Sequence, residues 1–377
     1  MDKQYFFDYA SCTPVDPRIL KTYCGLLETA YLNSEAVYTQ GLEIHNLVEK
    51  SRAKIAKLLQ VLPEEIIFTS GASEANSFAI KGYALKNKNR GKHLITSLME
   101  HSSVLNAFKQ LETEFGFEVD YLKVNDDGQV TLDDIKAHLR EDTILVSLMA
   151  VNNEIGSIQD INAIGCYLRN KRICFMSDGV QQVGKMSVDL TNLDLYTFTT
   201  HKLYGVKGCG ILFKRKNIRL LPLIDGGQQE FGLRGGTINA PAVIVAAKTM
   251  RLAFEECKKH HLLVEELNTY LRQQLEDIPD VIINSPTNAS PYIINFSVIS
   301  IGSEIMMNAL NSRRICVSAQ STCSSRTKAP SHTLKAMGKS DAISYGSIRV
   351  SLSHFNSKAE IDYLTTNLRE IIDEYRT

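Results

Sequence analysis

Neither sign of charge is in excess: 42 Lys and Arg stand against 42 Asp and Glu, and the net charge is zero. That balance argues against direct binding to bulk nucleic acid or to an anionic membrane, although a local basic patch is still compatible with it. No apolar run approaches the length of a membrane span. The opening residues, MDKQYFFDYASCTP, lack the apolar stretch of a secretory signal, so a cytoplasmic location is expected. The eight cysteines form no CxxC or other metal-binding spacing. No metal site is therefore expected, and the thiols read as reduced and mostly in the core. Internal repeats and low-complexity linkers are also missing. The 377 residues suit two domains, or one large domain with an appendage.

What the chain does contain is alternation. Between residues 45 and 250, short apolar runs alternate with helical patterns. The runs are Ile66–Thr69, Leu94–Leu98, Val119–Val124, Ile144–Met149, Ile173–Met176, Tyr196–Thr199 and Ile211–Phe213. The helical patterns include Ser73–Leu85, Ser102–Phe115 and Ile161–Lys171. This predicts an α/β fold, a large domain with a mostly parallel sheet between helices. After Pro241 a long helical pattern reads as a connector into a smaller α+β C-terminal domain. That domain holds strand-like Tyr292–Val298 and Ser347–Ser351, and a last helix with Ile361, Leu364, Leu368 and Ile371 on one face. The large domain is expected over residues 13–255. The small one is expected over 1–12 and 256–377, with the strand-like YFFDYA docking onto it. His260 and His261, on a polar helix, are expected to face solvent.

In an open parallel sheet, ligands sit beyond the carboxyl ends of the strands. Five of these runs are followed by SGAS, MEHSS, AVNNE, SDG and THK. Ser73, His101, Asn153, Asp178, Gln181, Thr199, His201 and Lys202 form too selective a set for a merely solvated rim. SGAS opening a helix offers backbone N–H groups and a hydroxyl to a phosphate. Thr199 and His201 can add donors. Lys202 can form a Schiff base with an aldehyde, Asp178 can pair with a protonated ring nitrogen, and His101 can stack on a ring. Aldehyde, phosphate and pyridinium together describe pyridoxal phosphate. Each signal alone also has an ordinary structural explanation, such as an N-cap, a turn aspartate or a solvated lysine, and only their joint occurrence carries the argument. GVKGCG at 205–210 resembles a dinucleotide loop but precedes a strand, so that reading is rejected.

Near the C-terminal end, SAQSTCSSRTKAPSHTL sets Cys323 among polar and basic residues, an unusual place for a cysteine. FFDYASCTPVDPRIL, FTSGASEANSFAIKG, MEHSSVL, VNNEIGSIQDI, SDGVQQVGK, THKLYGVKGCG, RGGT, STCSS with PSHTLKAMG, and SIRVSL follow in order along nearly the whole chain. With them the sequence resembles the cysteine desulfurases of the NifS and IscS type, pyridoxal-phosphate enzymes of the class V aminotransferase family. The resemblance implies the fold-type I, aspartate aminotransferase-like architecture. It implies Lys202 as the Schiff-base lysine, His101 as the imidazole over the cofactor, Asp178 as the pyridinium partner and Gln181 as the partner of the ring hydroxyl. Ser73, Thr199 and His201 become phosphate ligands, and Thr237 reaches the phosphate of the neighbouring subunit of a homodimer. Asn153 and Arg349 hold the carboxylate of L-cysteine. Cys323 takes the sulfur as a persulfide, alanine leaves, and the sulfur passes to an acceptor protein, an iron–sulfur scaffold or a tRNA-thiolation enzyme.

The sequence also departs from the family. NSEAVYTQG lacks the usual Pro and His near the substrate entrance, Thr200 replaces a Gly, and SAQSTC stands where SSGSAC is common. Two alternatives follow: a selenocysteine lyase on the same scaffold, and a catalytically degenerate relative serving as an interaction scaffold.

Overall fold

A computed structural model describes residues 3–319 and 330–376. Strand β1 (Tyr5–Phe6) stands apart from the main sheet. That sheet comprises β2 (Ile66–Thr69), β3 (His93–Ser97), β4 (Glu118–Leu122), β5 (Thr143–Ser147), β6 (Cys174–Asp178), β7 (Leu195–Thr199) and β8 (Gly210–Lys214), in the order β2-β8-β7-β6-β5-β3-β4. The residues of β2, β3, β5, β6, β7 and β8 are buried throughout. Burial on both faces is why these strands read as unbroken apolar runs.

All the pairings from β4 to β7 are parallel, whereas β8 runs antiparallel to both β2 and β7. The reversal has a simple cause. Residues 200–209 alone join β7 to β8, too few for a parallel crossover, which needs about a dozen or more. The segment expected as one helix from Ser73 to Leu85 is observed as Ala72–Ser77 and Tyr83–Asn87, joined by a π-helical turn at Phe78–Gly82. Helices Ser102–Phe115 and Ile161–Asn170 match their sequence patterns closely.

The connector is a 37-residue helix, Ala240–Glu276. Asn239 caps it, its side-chain oxygen accepting from the Ala242 N–H, and Pro241 occupies the first turn. Its first half buries Val243, Val245 and Met250 in the core under the main sheet. Its second half buries Val264, Leu267, Leu271 and Leu275 in a separate core. That second core is built on an antiparallel sheet of β9 (Val281–Ile283), β10 (Ile293–Val298) and a later strand, with β10 in the middle. The short strand β11 (Ile315–Cys316) pairs in parallel with β1, and the later strand of the sheet is β12 (Ser347–Ser351). Ile361, Leu364, Leu368 and Ile371 of helix Lys358–Arg376 are fully buried there, each contributing about 1.5–3 kcal/mol by leaving water. Phe7 lies in the same core. We propose the break between the two cores, midway along the long helix, as the division into 13–255 and 1–12 with 256–377.

Two expectations fail. Of the described cysteines only Cys174 and Cys209 are buried, while Cys24 and Cys166 are exposed. Cys24 and Cys166 lie on the outer sides of helices whose apolar faces are filled by other residues. His260 and His261 do not simply face solvent. His260 stacks on His354 with ring centroids 3.7 Å apart, and His261 Nδ1 lies 2.9 Å from the Lys185 carbonyl oxygen.

Candidate active site

The carboxyl ends of β2, β3, β5, β6 and β7 open onto a cavity of about 520 Å³. Nine residues singled out in the sequence line it: Ser73, His101, Asn153, Asp178, Gln181, Thr199, His201, Lys202 and Arg349. Thr237 is not brought there. It lines a neighbouring pocket of about 170 Å³ with Ser70, Arg234 and Gly236. Cys323 lies outside the described residues.

Lys202 follows β7 on a single 3-10 turn, Thr200–Lys202. Its Nζ donates to the carbonyl oxygens of Ala10 and Ser11, each at 2.5 Å. The N-terminal segment therefore crosses the site and meets the amine. Asp178, the last residue of β6, is 5% exposed. Its Oδ1 accepts from the Val180 N–H at 2.9 Å and its Oδ2 from Asn76 Nδ2 at 2.8 Å. Asn76 also donates to Ser103 Oγ at 2.9 Å and accepts from Thr197 Oγ1. Ser103 in turn donates from its backbone N–H to His101 Nδ1 at 3.1 Å. One buried network thus orients both the carboxylate and the imidazole. Asn76, Ser103 and Thr197 were not singled out in the sequence, since nothing in a helical pattern says which polar residue points inward.

His101 caps helix Ser102–Phe115 and accepts at Nδ1. Burial lowers its pKa, Lys202 and His332 lower it further, and Asp178 opposes them, so the imidazole is neutral near pH 7. At the other end of the cavity, Gly71 precedes the helix that begins at Ala72, and Ser73 lies in its first turn. The first residue of β8 comes so close that a Cβ on Gly210 would lie 2.3 Å from the Gly71 carbonyl carbon. Thr199 Oγ1 and His201 Nδ1 are 2.9 Å apart. Burial, with Lys202 and Lys207 nearby, pushes His201 down to about 4.

Arg349, on β12, is 1% exposed. It donates from Nη1 to the Asn153 carbonyl oxygen at 2.9 Å and from Nη2 to Asp8 Oδ1 at 2.8 Å. Its Nε is buried without a hydrogen-bond partner among the described residues. An ion pair with Asp8 is thus present, and a donor is left over in the same guanidinium. Gln181 donates from Nε2 to the Ala10 carbonyl at 3.0 Å. Among the described residues no cluster of His, Cys, Asp and Glu is arranged to hold a metal ion, and no helix is long and apolar enough to cross a membrane.

This donor set fits pyridoxal phosphate. A buried carboxylate held by two N–H donors suits a protonated ring nitrogen, an amine lies at the same cavity, and a helix start with hydroxyls suits a phosphate. Fold and site together define an α/β enzyme of the fold-type I, pyridoxal-phosphate-dependent class.

The comparisons agree. The model of the family "Aminotransferase class-V" matches residues 5–364. The chain is 40% identical to "Cysteine desulfurase, mitochondrial" of Candida maltosa, over 98% of this chain and 78% of that protein. A solved structure titled "NIFS-LIKE PROTEIN" superposes with a TM-score of 0.92 at 35% identity, covering 98% of this chain and all of that one. Another, "SspA in complex with cysteine", has a TM-score of 0.81 at 32% identity, over 94% of this chain and all of its own. The chain belongs to the class-V aminotransferase family.

Proposed function

We propose that this chain is a pyridoxal 5'-phosphate-dependent cysteine desulfurase, converting L-cysteine to L-alanine and holding the sulfur as a persulfide on Cys323. The observation that carries this reading is the meeting of Lys202, Asp178, His101 and Arg349 around one cavity. Bound there, the cofactor would supply an electron sink that acidifies the substrate α-proton and loosens its bond to sulfur. Asp178 would hold the ring nitrogen and Gln181 the ring hydroxyl, with Ser73, Thr199 and His201 at the phosphate. Lys202 is the amine for the aldehyde and then the base that moves a proton at the substrate Cα. Neutral His101 would cover the ring and take part in proton movement. Asn153 and Arg349 bind the substrate carboxylate, for which a planar fork is well shaped. Cys323 acts as a thiolate, the form of cysteine that attacks sulfur.

The proposal includes a homodimer in which Thr237 reaches the neighbouring subunit's phosphate. Support comes from Thr237 lying outside the Lys202 cavity. The exposed apolar side chains of Leu27, Tyr31, Val37, Leu42 and Phe231 also support it, since monomers rarely leave many such groups uncovered. The sulfur acceptor is an iron–sulfur scaffold or a tRNA-thiolation enzyme. The cytoplasm is the proposed compartment, in keeping with the free thiols among the described cysteines.

Alanine and persulfide are the products to measure, with L-cysteine as substrate. Cys323→Ala is expected to keep the visible cofactor band and lose sulfur transfer. Full sulfide release by that variant would remove Cys323 from the mechanism. The ratio of rates on cysteine and selenocysteine separates this activity from a selenocysteine lyase.

A further inference from the structure

The SDGVQQVGK segment carries a second lysine that the mechanism above does not use. Lys185 is only 7% exposed. Its Nζ donates to Gln181 Oε1 at 2.6 Å. The other end of that amide, Nε2, donates to the Ala10 carbonyl at 3.0 Å. The same oxygen accepts from Lys202 Nζ at 2.5 Å. A continuous hydrogen-bonded chain therefore runs from one amine to the other through Gln181 and Ala10.

Local structure turns Lys185 inward. Gly184 has φ +70, and a Cβ there would lie 2.9 Å from Leu203 and 3.0 Å from Ala253. Glycine is thus needed both for the left-handed turn and for the close approach. The Tyr292 ring lies 5.7 Å from Lys185 Nζ. The Tyr292 hydroxyl is buried with no hydrogen-bond partner among the described residues. Lys185, Lys202 and Tyr292 also line a second cavity of about 30 Å³, room for about one water.

We infer that Lys185 is a positioning residue for Lys202: it fixes the orientation of Gln181 and, through the Ala10 carbonyl shared with Lys202, sets a second amine whose charge is felt there. An ammonium can only donate, so it selects the oxygen end of the Gln181 amide and turns the N–H end toward Ala10. The groups facing Lys185 come from several elements: Gln181 from its own turn, Lys202 from the segment after β7, Arg349 from β12, Tyr292 before β10, and His261 from the long helix. Burial, then the positive charges of Lys202 and Arg349, lower the Lys185 pKa to about 7. Its charge therefore changes within the range in which such an enzyme is assayed. The coupling of the two amines stands without the cofactor, and only its consequence for the cofactor rests on the proposed function.

The first test needs no cofactor. NMR of the cofactor-free protein labelled at lysine 13Cε, with the Lys185 signal assigned by its loss in Lys185→Arg, follows the Lys185 titration. Lys202→Ala is expected to raise its midpoint by about half a pH unit or more, because a neighbouring cation is removed. An unmoved midpoint overturns the inference. The second test titrates the visible band of the holoenzyme. Lys185→Met is expected to raise the midpoint of that band by a similar amount, and Lys185→Arg to keep it near the wild-type value. Equal midpoints in wild type and Lys185→Met overturn the inference at the cofactor. Should Lys185→Met fail to fold, the NMR measurement decides alone. If no visible band forms in any variant, the cofactor reading fails while the NMR result still judges the coupling.

Discussion

Arg349 donates from Nη2 to Asp8 Oδ1 at 2.8 Å, across 341 residues of sequence. The same nitrogen donates to Ser11 Oγ at 2.6 Å, and Nη1 donates to the Asn153 carbonyl. One guanidinium therefore ties the N-terminal segment, the loop after β5 and β12 to the rim of a single cavity. Asp8 holds the fork in place, Nε has no hydrogen-bond partner among the described residues, and the carboxylate site proposed above falls on this guanidinium. Arg349→Lys keeps the charge but loses the fork. We expect kcat/KM for cysteine to fall by ten- to a hundred-fold, as for loss of a hydrogen bond to a charged group worth about 1.5–3 kcal/mol. Steady-state kinetics should place most of the loss in KM, with the cofactor band intact. A fall in kcat with KM unchanged would place the interaction of Arg349 in the transition state and not in binding of the substrate carboxylate.

Gly179 follows Asp178, and the reason lies in the neighbouring strand. A Cβ at position 179 would sit 1.9 Å from Tyr196 Cζ and 2.0 Å from its hydroxyl. Tyr196 is fully buried and donates to Gln182 Oε1 at 2.7 Å, so it has nowhere to go. Gly179→Ala should cost about 1–3 kcal/mol by overpacking. Because the strain falls beside Asp178, cofactor affinity should drop by about tenfold for each 1.4 kcal/mol passed to the site. Denaturant unfolding and cofactor titration measure the two effects. A variant as stable as wild type would show that Tyr196 can move.

The strands, the two cores and the polar edge of the sheet were legible because burial on both faces leaves a continuous apolar run, and ligand groups collect where those runs end. The direction of β8 was not legible, since a buried strand reads the same either way; only the ten-residue connection 200–209 hinted at it. Asn76 was missed because its helix carries several small polar residues, and burial selects one of them. Nothing in the sequence marks Lys185, because lysines are mostly solvated and the turn at Gly184 that directs it inward is visible only in three dimensions. The stacking of His260 is not visible in the sequence because its partner, His354, comes from a distant loop.

The buried pair of Arg52 and Glu230 supports the segment that leads to Thr237. Arg52 donates from Nη1 and Nη2 to the two carboxylate oxygens of Glu230, each at 2.8 Å, and both side chains are 2% exposed. Glu230 also accepts from the Phe68 N–H at 2.7 Å. Glu230 and Phe231 have φ of 48 and 60, a conformation unfavourable for side chains of this size. The ion pair holds that backbone in place. Arg52→Met should destabilise the protein by about 3–5 kcal/mol, because it leaves a buried carboxylate without its partner. Equilibrium unfolding checks this, and a loss below about 1 kcal/mol would show that water reaches Glu230 once Arg52 is removed.

Glu100, next to His101, makes stability depend on pH. It is fully buried: Oε1 accepts from Ser97 Oγ at 2.8 Å and from the Met149 N–H at 2.9 Å, and Oε2 has no partner among the described residues. Burial pushes its pKa up from 4.5 to about 8, with Asp178 adding to the rise and the two hydrogen bonds opposing it. The folded chain thus keeps this proton up to about pH 8, while the unfolded chain releases it near 4.5. Between those values the folded state binds more protons, so this group's contribution to stability falls as pH rises. Glu100→Gln imitates the protonated acid and removes the dependence. The variant should match wild type near pH 4.5 and exceed it by about 2–4 kcal/mol above pH 8, at roughly 1.4 kcal/mol for each pH unit between the folded and unfolded pKa, less relaxation. Urea unfolding of both proteins across that range supplies the comparison. Parallel curves would mean that Glu100 ionises freely in the folded state, and that its neighbours, not burial, govern its charge.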